Sequence, residues 1–279
     1  MKKLCELTPE DILNSDYNTL ISIVEETNRA PGGYQTVQQI ANVCFLNEKK
    51  RVLEIGTSTG NTAIELARMT GCKIESIDIN ERSVQKTVQR LAEEKLDKFV
   101  NVSKMDATMM SFEDNSFDVL FCGNVTSLIS DKEKALSEYI RVIKPGGMLA
   151  AVPMYYVKRP SEDLLKDISA AIHLNVKDSN EQEWLDFYNT PNMVLKYRVR
   201  YCFDYIEDKK LDTFIDEILT RDHLKELSKE SFEVLSKQYK SFIYLFRDNL
   251  SHMGYSILVY SKEMHNDEPE LFTAHLANE

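Results

Sequence analysis

Through the middle of the chain, short apolar runs alternate with longer segments that carry apolar residues on one face. Residues 51–55, 73–77, 99–103, 117–121 and 148–152 are the apolar runs. Their length and their Val, Ile, Leu and Phe content predict buried strands. Residues 61–70, 81–95 and 131–143 have helical spacing. Strands alternating with helices of this length predict βαβ units, a mainly parallel sheet and helices on both faces. Before this core, residues 9–26 and 36–46 read as helices around the turn Asn28-Arg29-Ala30-Pro31-Gly32-Gly33. After it come helices at 161–174 and 181–188, a strand at 194–203, a long helical block at 208–250 and a last strand at 255–261. The polar stretch 263–279 is expected to be poorly ordered.

Composition narrows the class. Of 279 residues, 34 are Lys or Arg and 45 are Asp or Glu, a net charge of −11. Phosphate contacts need Lys or Arg, so a nucleic-acid or anionic-membrane partner is disfavoured. No run reaches the roughly 20 apolar residues of a membrane span. The polar, acidic start lacks the apolar core of a secretory signal, so a cytoplasmic location is expected. The five cysteines are widely spaced with no C-x-x-C pair, which argues for reduced, buried thiols and against a metal or disulfide framework. The five histidines show no ligand spacing, and no metal site is expected.

The chemistry points to one edge of the sheet. Glu54-Ile-Gly56-Thr57-Ser-Thr-Gly60 joins the first strand to the helix behind it. Glycine lets backbone approach a ligand closely and accepts positive φ, and open α/β sheets bind ligands beyond their carboxyl ends. A bare strand-to-helix turn remains the alternative. Asp78 ends the second strand, where a carboxylate can accept hydrogen bonds from ribose hydroxyls. Ile79 follows and could pack on an adenine face. Asp106 and Ala107 lie beyond the third strand. Asp is also common where strands give way to turns, but two such acids share the edge of the glycine turn.

These residues resemble the class I S-adenosylmethionine-dependent methyltransferases. The resemblance rests on Glu54-x-Gly56-x-x-x-Gly60, Asp78, Asp106-Ala107, the strand through Asn124, and Arg141-Val-Ile-Lys-Pro-Gly-Gly-Met148. It covers about residues 36–156 and, more loosely, the strand at 255–261. The family often has glycine where this chain has Ser58. The resemblance implies a Rossmann-like fold with S-adenosyl-L-methionine as cofactor. It implies that Glu54, Gly56, Thr57 and Gly60 border the methionine part, Asp78 and Ile79 the ribose and adenine, Asp106 and Ala107 the adenine, and Gly123 and Asn124 the sulfonium end. A dinucleotide site would need G-x-G-x-x-G, and this turn is G-x-x-x-G.

The expected reaction is methyl transfer to a small-molecule acceptor. The Asn/Asp-Pro-Pro-aromatic motif of base-amino methyltransferases is absent, since Asn124 is followed by Val-Thr-Ser. Arg29, Tyr34, Gln35 and Tyr155 are candidates for holding the acceptor. Tyr155, Tyr156 and His173 are candidates for catalysis, each with an ordinary packing or capping alternative. The expected layout is an N-terminal helical segment (1–47) covering the site, a methyltransferase domain (48–262) with a helical insertion at about 207–251, and the polar tail. Within the insertion, Phe232, Leu235, Tyr239, Phe242 and Phe246 form a stripe that suits a core, a homodimer seam or a lid. Two rivals stay open: other chemistry on the sulfonium, such as cyclisation releasing methylthioadenosine, and a non-catalytic binding or assembly protein on this scaffold.

Overall fold

The computed structural model describes residues 2–263; the tail beyond, with His265 and His275, lies outside them. Five strands form the parallel part of the sheet: β1 (Arg51–Ile55), β2 (Lys73–Asp78), β3 (Val100–Lys104), β4 (Phe117–Cys122) and β5 (Ile143–Ala151). They run in the order β3-β2-β1-β4-β5. β8 (Met253–Lys262) adds antiparallel to β5. The short β6 (Met154–Tyr156) and the long β7 (Met193–Cys202) also pair with β8. Tyr255 faces both Met154 and Tyr201, and Leu258 faces both Ala151 and Arg198. A strand has two edges, so β6 continues the line of β5 along one edge of β8, and β7 takes the other. The architecture is the expected mixed α/β sheet of Rossmann-like form.

Alternation along each strand sorts side chains onto two cores. Val52, Val119, Phe121, Ile257 and Val259 pack with α3 (Gly33–Val43), α4 (Asn61–Thr70) and α5 (Glu81–Glu93). Leu53, Ile55, Leu120, Leu258 and Tyr260 pack with α6 (Lys132–Val142) and α8 (Glu181–Tyr188). Both faces of the central strands are therefore covered, which explains their continuous apolar runs. The helix α7 (Glu162–Ile172) precedes α8.

A third core lies outside the sheet. The segment expected to be one helix at 9–26 is two, α1 (Pro9–Leu13) and α2 (Tyr17–Val24). Asn14 caps the end of α1, and the Asp16 carboxylate accepts the Thr19 N–H at 2.8 Å to start α2. Asn, Ser and Asp favour such caps over helix interiors. The block 208–250 likewise divides into α9 (Asp208–Leu219), a 3-10 turn (Asp222–Glu226) and α10 (Lys229–Leu250). Ile12, Leu20, Ile23 and Val24 from the first pair bury against Ile215, Leu235, Tyr239 and Ile243 from the second. The insertion's aromatic stripe is consumed here: Leu235 and Tyr239 are fully buried, and Phe246 stacks on Tyr17 at 4.0 Å. The two ends of the chain thus build one helical cap.

Candidate cofactor and active site

The turn after β1 is shaped by three left-handed residues: Gly56 (φ 80°), Ser58 (φ 47°) and Gly60 (φ 78°). A Cβ on Gly60 would stand 2.5 Å from Thr87 Cγ2, so α5 requires glycine there. The turn sits on the end of β2, since Gly56 and Thr57 both donate their N–H to the Ile77 carbonyl at 2.8 and 3.0 Å. Asp78 completes the joint. Its Oδ2 accepts the Ser58 N–H at 2.9 Å and its Oδ1 accepts the Asn80 N–H at 2.8 Å. Each carboxylate oxygen keeps a lone pair outside these bonds. Burial raises the Asp78 pKa, and backbone N–H groups oppose that rise.

The other predicted residues of this edge separate into distinct roles. Ile79 is 68% exposed, a large apolar side chain beside a polar turn. Met109, unsuspected from sequence, is 73% exposed on the loop after β3. Asp106 is exposed and accepts from Thr108 N and Oγ1, both at 2.8 Å, bonds that lower its pKa. Ala107 is buried against the core beneath that loop. Glu54 is 2% exposed and pairs across the sheet with Ser76, whose hydroxyl donates to it. Burial pushes its carboxyl up to about 7, against the pull of the Ser76, Thr57 and Thr62 hydroxyls. Thr57 Oγ1 is buried beside that carboxyl. Gly123 follows β4, and Asn124 Oδ1 accepts the Met154 N–H at 3.0 Å, holding the step between β5 and β6.

A strap formed by residues 25–33 crosses this edge. Asn28 donates its N–H to Thr59 Oγ1 and its amide to Ser58 Oγ, both at 3.1 Å. Ala30 lies over Gly123, and Gly32 rests against the Tyr255 hydroxyl and Thr36. Val125 stands over Gly56, where a Cβ would meet it at 2.8 Å. Asn28 and Val125 thus join the edge through tertiary contacts that no motif signals.

The acceptor and catalytic candidates lie at several places. Arg29 is exposed on the strap. Tyr34 and Gln35 are exposed on α3, and Tyr34 borders a groove of about 290 Å³ with Gln38, Asn42 and Met69, away from the glycine turn. Tyr155 is 1% exposed and its hydroxyl bonds Ser256 Oγ at 2.9 Å. That serine donates to Glu181, which also holds Arg198 in two bonds. Tyr155 therefore belongs to a network that ties β6, β8, α8 and β7 together. Tyr156 donates to Asn249 Oδ1 at 2.7 Å, linking β6 to α10. His173 is the exposed, left-handed C-cap of α7. Among the described residues no cluster of three His, Cys, Asp or Glu could hold a metal, and no helix is long and apolar enough to cross a membrane.

Comparison with known proteins places this architecture. A family model described as a methyltransferase domain matches residues 46–190. An uncharacterized protein of Haemophilus influenzae is 32% identical over 162 residues, 57% of this chain and 64% of that protein. Two further curated relatives are each matched over 29% of their length, so the chain spans less than two thirds of the relatives it aligns with. Among solved structures, the MccD protein superposes with a TM-score of 0.72 at 20% identity, over 85% of this chain and 100% of that one. Haemonchus contortus phosphoethanolamine N-methyltransferase 2, in complex with S-adenosyl-L-methionine, gives 0.67 at 20% identity, over 92% of this chain and 58% of that one. At such identities the structural likeness establishes the fold.

Proposed function

The chain belongs to the methyltransferase-domain family, and we propose that it transfers a methyl group from S-adenosyl-L-methionine to a small molecule. The observation that carries the proposal is the Asp78 joint. One carboxylate fixes the glycine turn through Ser58 and the following loop through Asn80, with lone pairs left for two hydroxyls. Ile79 and Met109 supply exposed apolar surface on the same edge. The residues present therefore fit a nucleoside bearing an amino-acid arm. Asp78 would hold the ribose, Ile79 and the Asp106 loop the adenine, and Gly56, Gly123 and Asn124 the arm.

When bound, the cofactor supplies an activated methyl group on a positive sulfur. The protein's task is then alignment and exclusion of water, which can be worth up to ~7–11 kcal/mol. The strap crosses this edge and would exclude water from it. Asn124 has its Oδ1 occupied by Met154, so its amide nitrogen is turned to donate. A base is needed only for an acceptor that arrives protonated. The net charge of −11 favours a small acceptor over a polyanion. Phosphoethanolamine, named in the Haemonchus relative, is a first acceptor to try.

Calorimetry with S-adenosylhomocysteine tests the cofactor assignment. The wild-type chain should bind at micromolar concentration, and Asp78→Ala should weaken binding about ten- to a hundredfold, the loss of charged hydrogen bonds worth about 1.5–3 kcal/mol. Absence of heat at high micromolar ligand would refute the proposal.

A further inference from the structure

We infer that the ion pair between Glu25 and Lys86 is a latch on the strap of residues 25–33, and that its release opens the cofactor edge. What is admitted rests on the reading above; how the strap is held rests on contacts in the chain. The two ends of the strap are pinned. At the start, Arg221 donates to the carbonyls of Val24 (3.1 Å) and Glu25, and His223 Nε2 lies 3.0 Å from the Ile23 carbonyl. At the far end, a Cβ on Gly32 would stand 2.1 Å from the Tyr255 hydroxyl, so the turn seats directly on β8. Between these anchors the strap crosses Ser58 and Thr59 and passes over Gly123, the places a ligand of this edge must reach. Exchange of such a ligand requires the middle of the strap to lift.

Asn28 holds that middle on Ser58 and Thr59, and Lys86 adds a charged grip on the Glu25 side chain at the strap's first residue, where the strap turns. Lys86 Nζ lies 2.7 Å from Glu25 Oε1 and joins the strap to α5 of the core. Glu25 itself is left-handed (φ 55°), a strained bend for a residue with a side chain and a natural pivot. A cavity of about 160 Å³, lined by Glu25, Thr27, Thr59, Lys86, Arg90 and Glu93, gives solvent access beside the pair. The two side chains are 36% and 26% exposed. A pair so hydrated is weak and screened by salt, which suits a contact that must open. From the cap, His223 Nδ1 stands 3.9 Å from Glu25, too far to replace Lys86.

Hydrogen exchange on the full chain without ligand tests the latch directly. In Lys86→Met, the Asn28 and Gly33 amides should exchange several-fold faster, and raising salt to roughly 0.5 M should do the same to the wild type. Lys86→Arg should keep them slow. Lys240→Met, which removes a cap ion pair to Asp212, should leave them at the wild-type rate. In stopped flow, S-adenosylhomocysteine should associate several-fold faster with Lys86→Met. Unchanged strap exchange in Lys86→Met would overturn the latch. Faster exchange with unchanged association would overturn its role as a gate. No binding to either protein would overturn the cofactor reading and the gate with it, while the exchange data still judge the latch.

Discussion

Glu54 shows how one residue can satisfy a motif and still serve in an unforeseen way. From sequence it borders a ligand; in the fold its carboxyl is buried under the turn and bonded to Ser76. Its pKa rises from an ordinary value of 4.5 to about 7 because burial disfavours the charge. A carboxyl whose folded pKa is raised stabilises the fold as the neutral acid. That contribution is complete below about pH 4.5 and is lost as pH rises through about 7. It amounts to roughly 3 kcal/mol. Urea unfolding across pH 4.5 to 8 should therefore show falling stability in the wild type and a flatter profile in Glu54→Gln. Ile79 is the opposite case: at 68% exposure it contributes little to the core. Ile79→Ser should leave the melting temperature within a degree or two and weaken S-adenosylhomocysteine binding several-fold, by loss of about 1 kcal/mol of apolar contact. An unchanged affinity would remove Ile79 from the adenine assignment.

At the scale of elements, the strap and its glycine decide more than any helix does. The Pro31-Gly32-Gly33 turn looked in sequence like a link between two helices. In the fold, Gly32 has φ 79° and faces the Tyr255 ring and Thr36 with no room for a side chain. Gly32→Ala should cost about 1–3 kcal/mol in urea unfolding, from strain and from displacement of the strap. Wild-type stability in that variant would show that the strap is not seated as described. Boundaries followed local chemistry where caps were strong. The break at Asn14-Ser15-Asp16 and the start at Ser228, whose hydroxyl accepts the Ser231 N–H at 3.1 Å, were both written in residue types. The long block 208–250 hid its division because Thr220 and the residues after it carry no glycine or proline to mark a stop.

For the whole molecule, the decisive feature is that the two flanks of the sheet domain meet in one cap. Leu235 and Tyr239 of α10 close over Ile12, Leu20 and Ile23 from the first helices. Leu235→Ala should cost 2–5 kcal/mol, as for other buried leucines, and should raise strap exchange while sparing amides of β1 and β4. Uniform loss of protection would show that cap and sheet unfold together. The parallel sheet, its helices and the residues of its carboxyl edge were legible in the sequence because they rest on short-range rules: strand alternation, glycine at positive φ, acids at strand ends. The resemblance carried by those residues placed Asp78 and the glycine turn on one edge, where the fold also has them. Sequence alone offered a covering N-terminal segment and a core, seam or lid for the insertion, but not that the two share one core, how the strap is held, or what the Glu54 carboxyl and Tyr155 hydroxyl bond. Each depends on contacts between residues as far apart as Glu26 and Tyr239 or Tyr155 and Ser256. Periodicity records which face of an element is apolar, and only the closed chain decides which other face it meets.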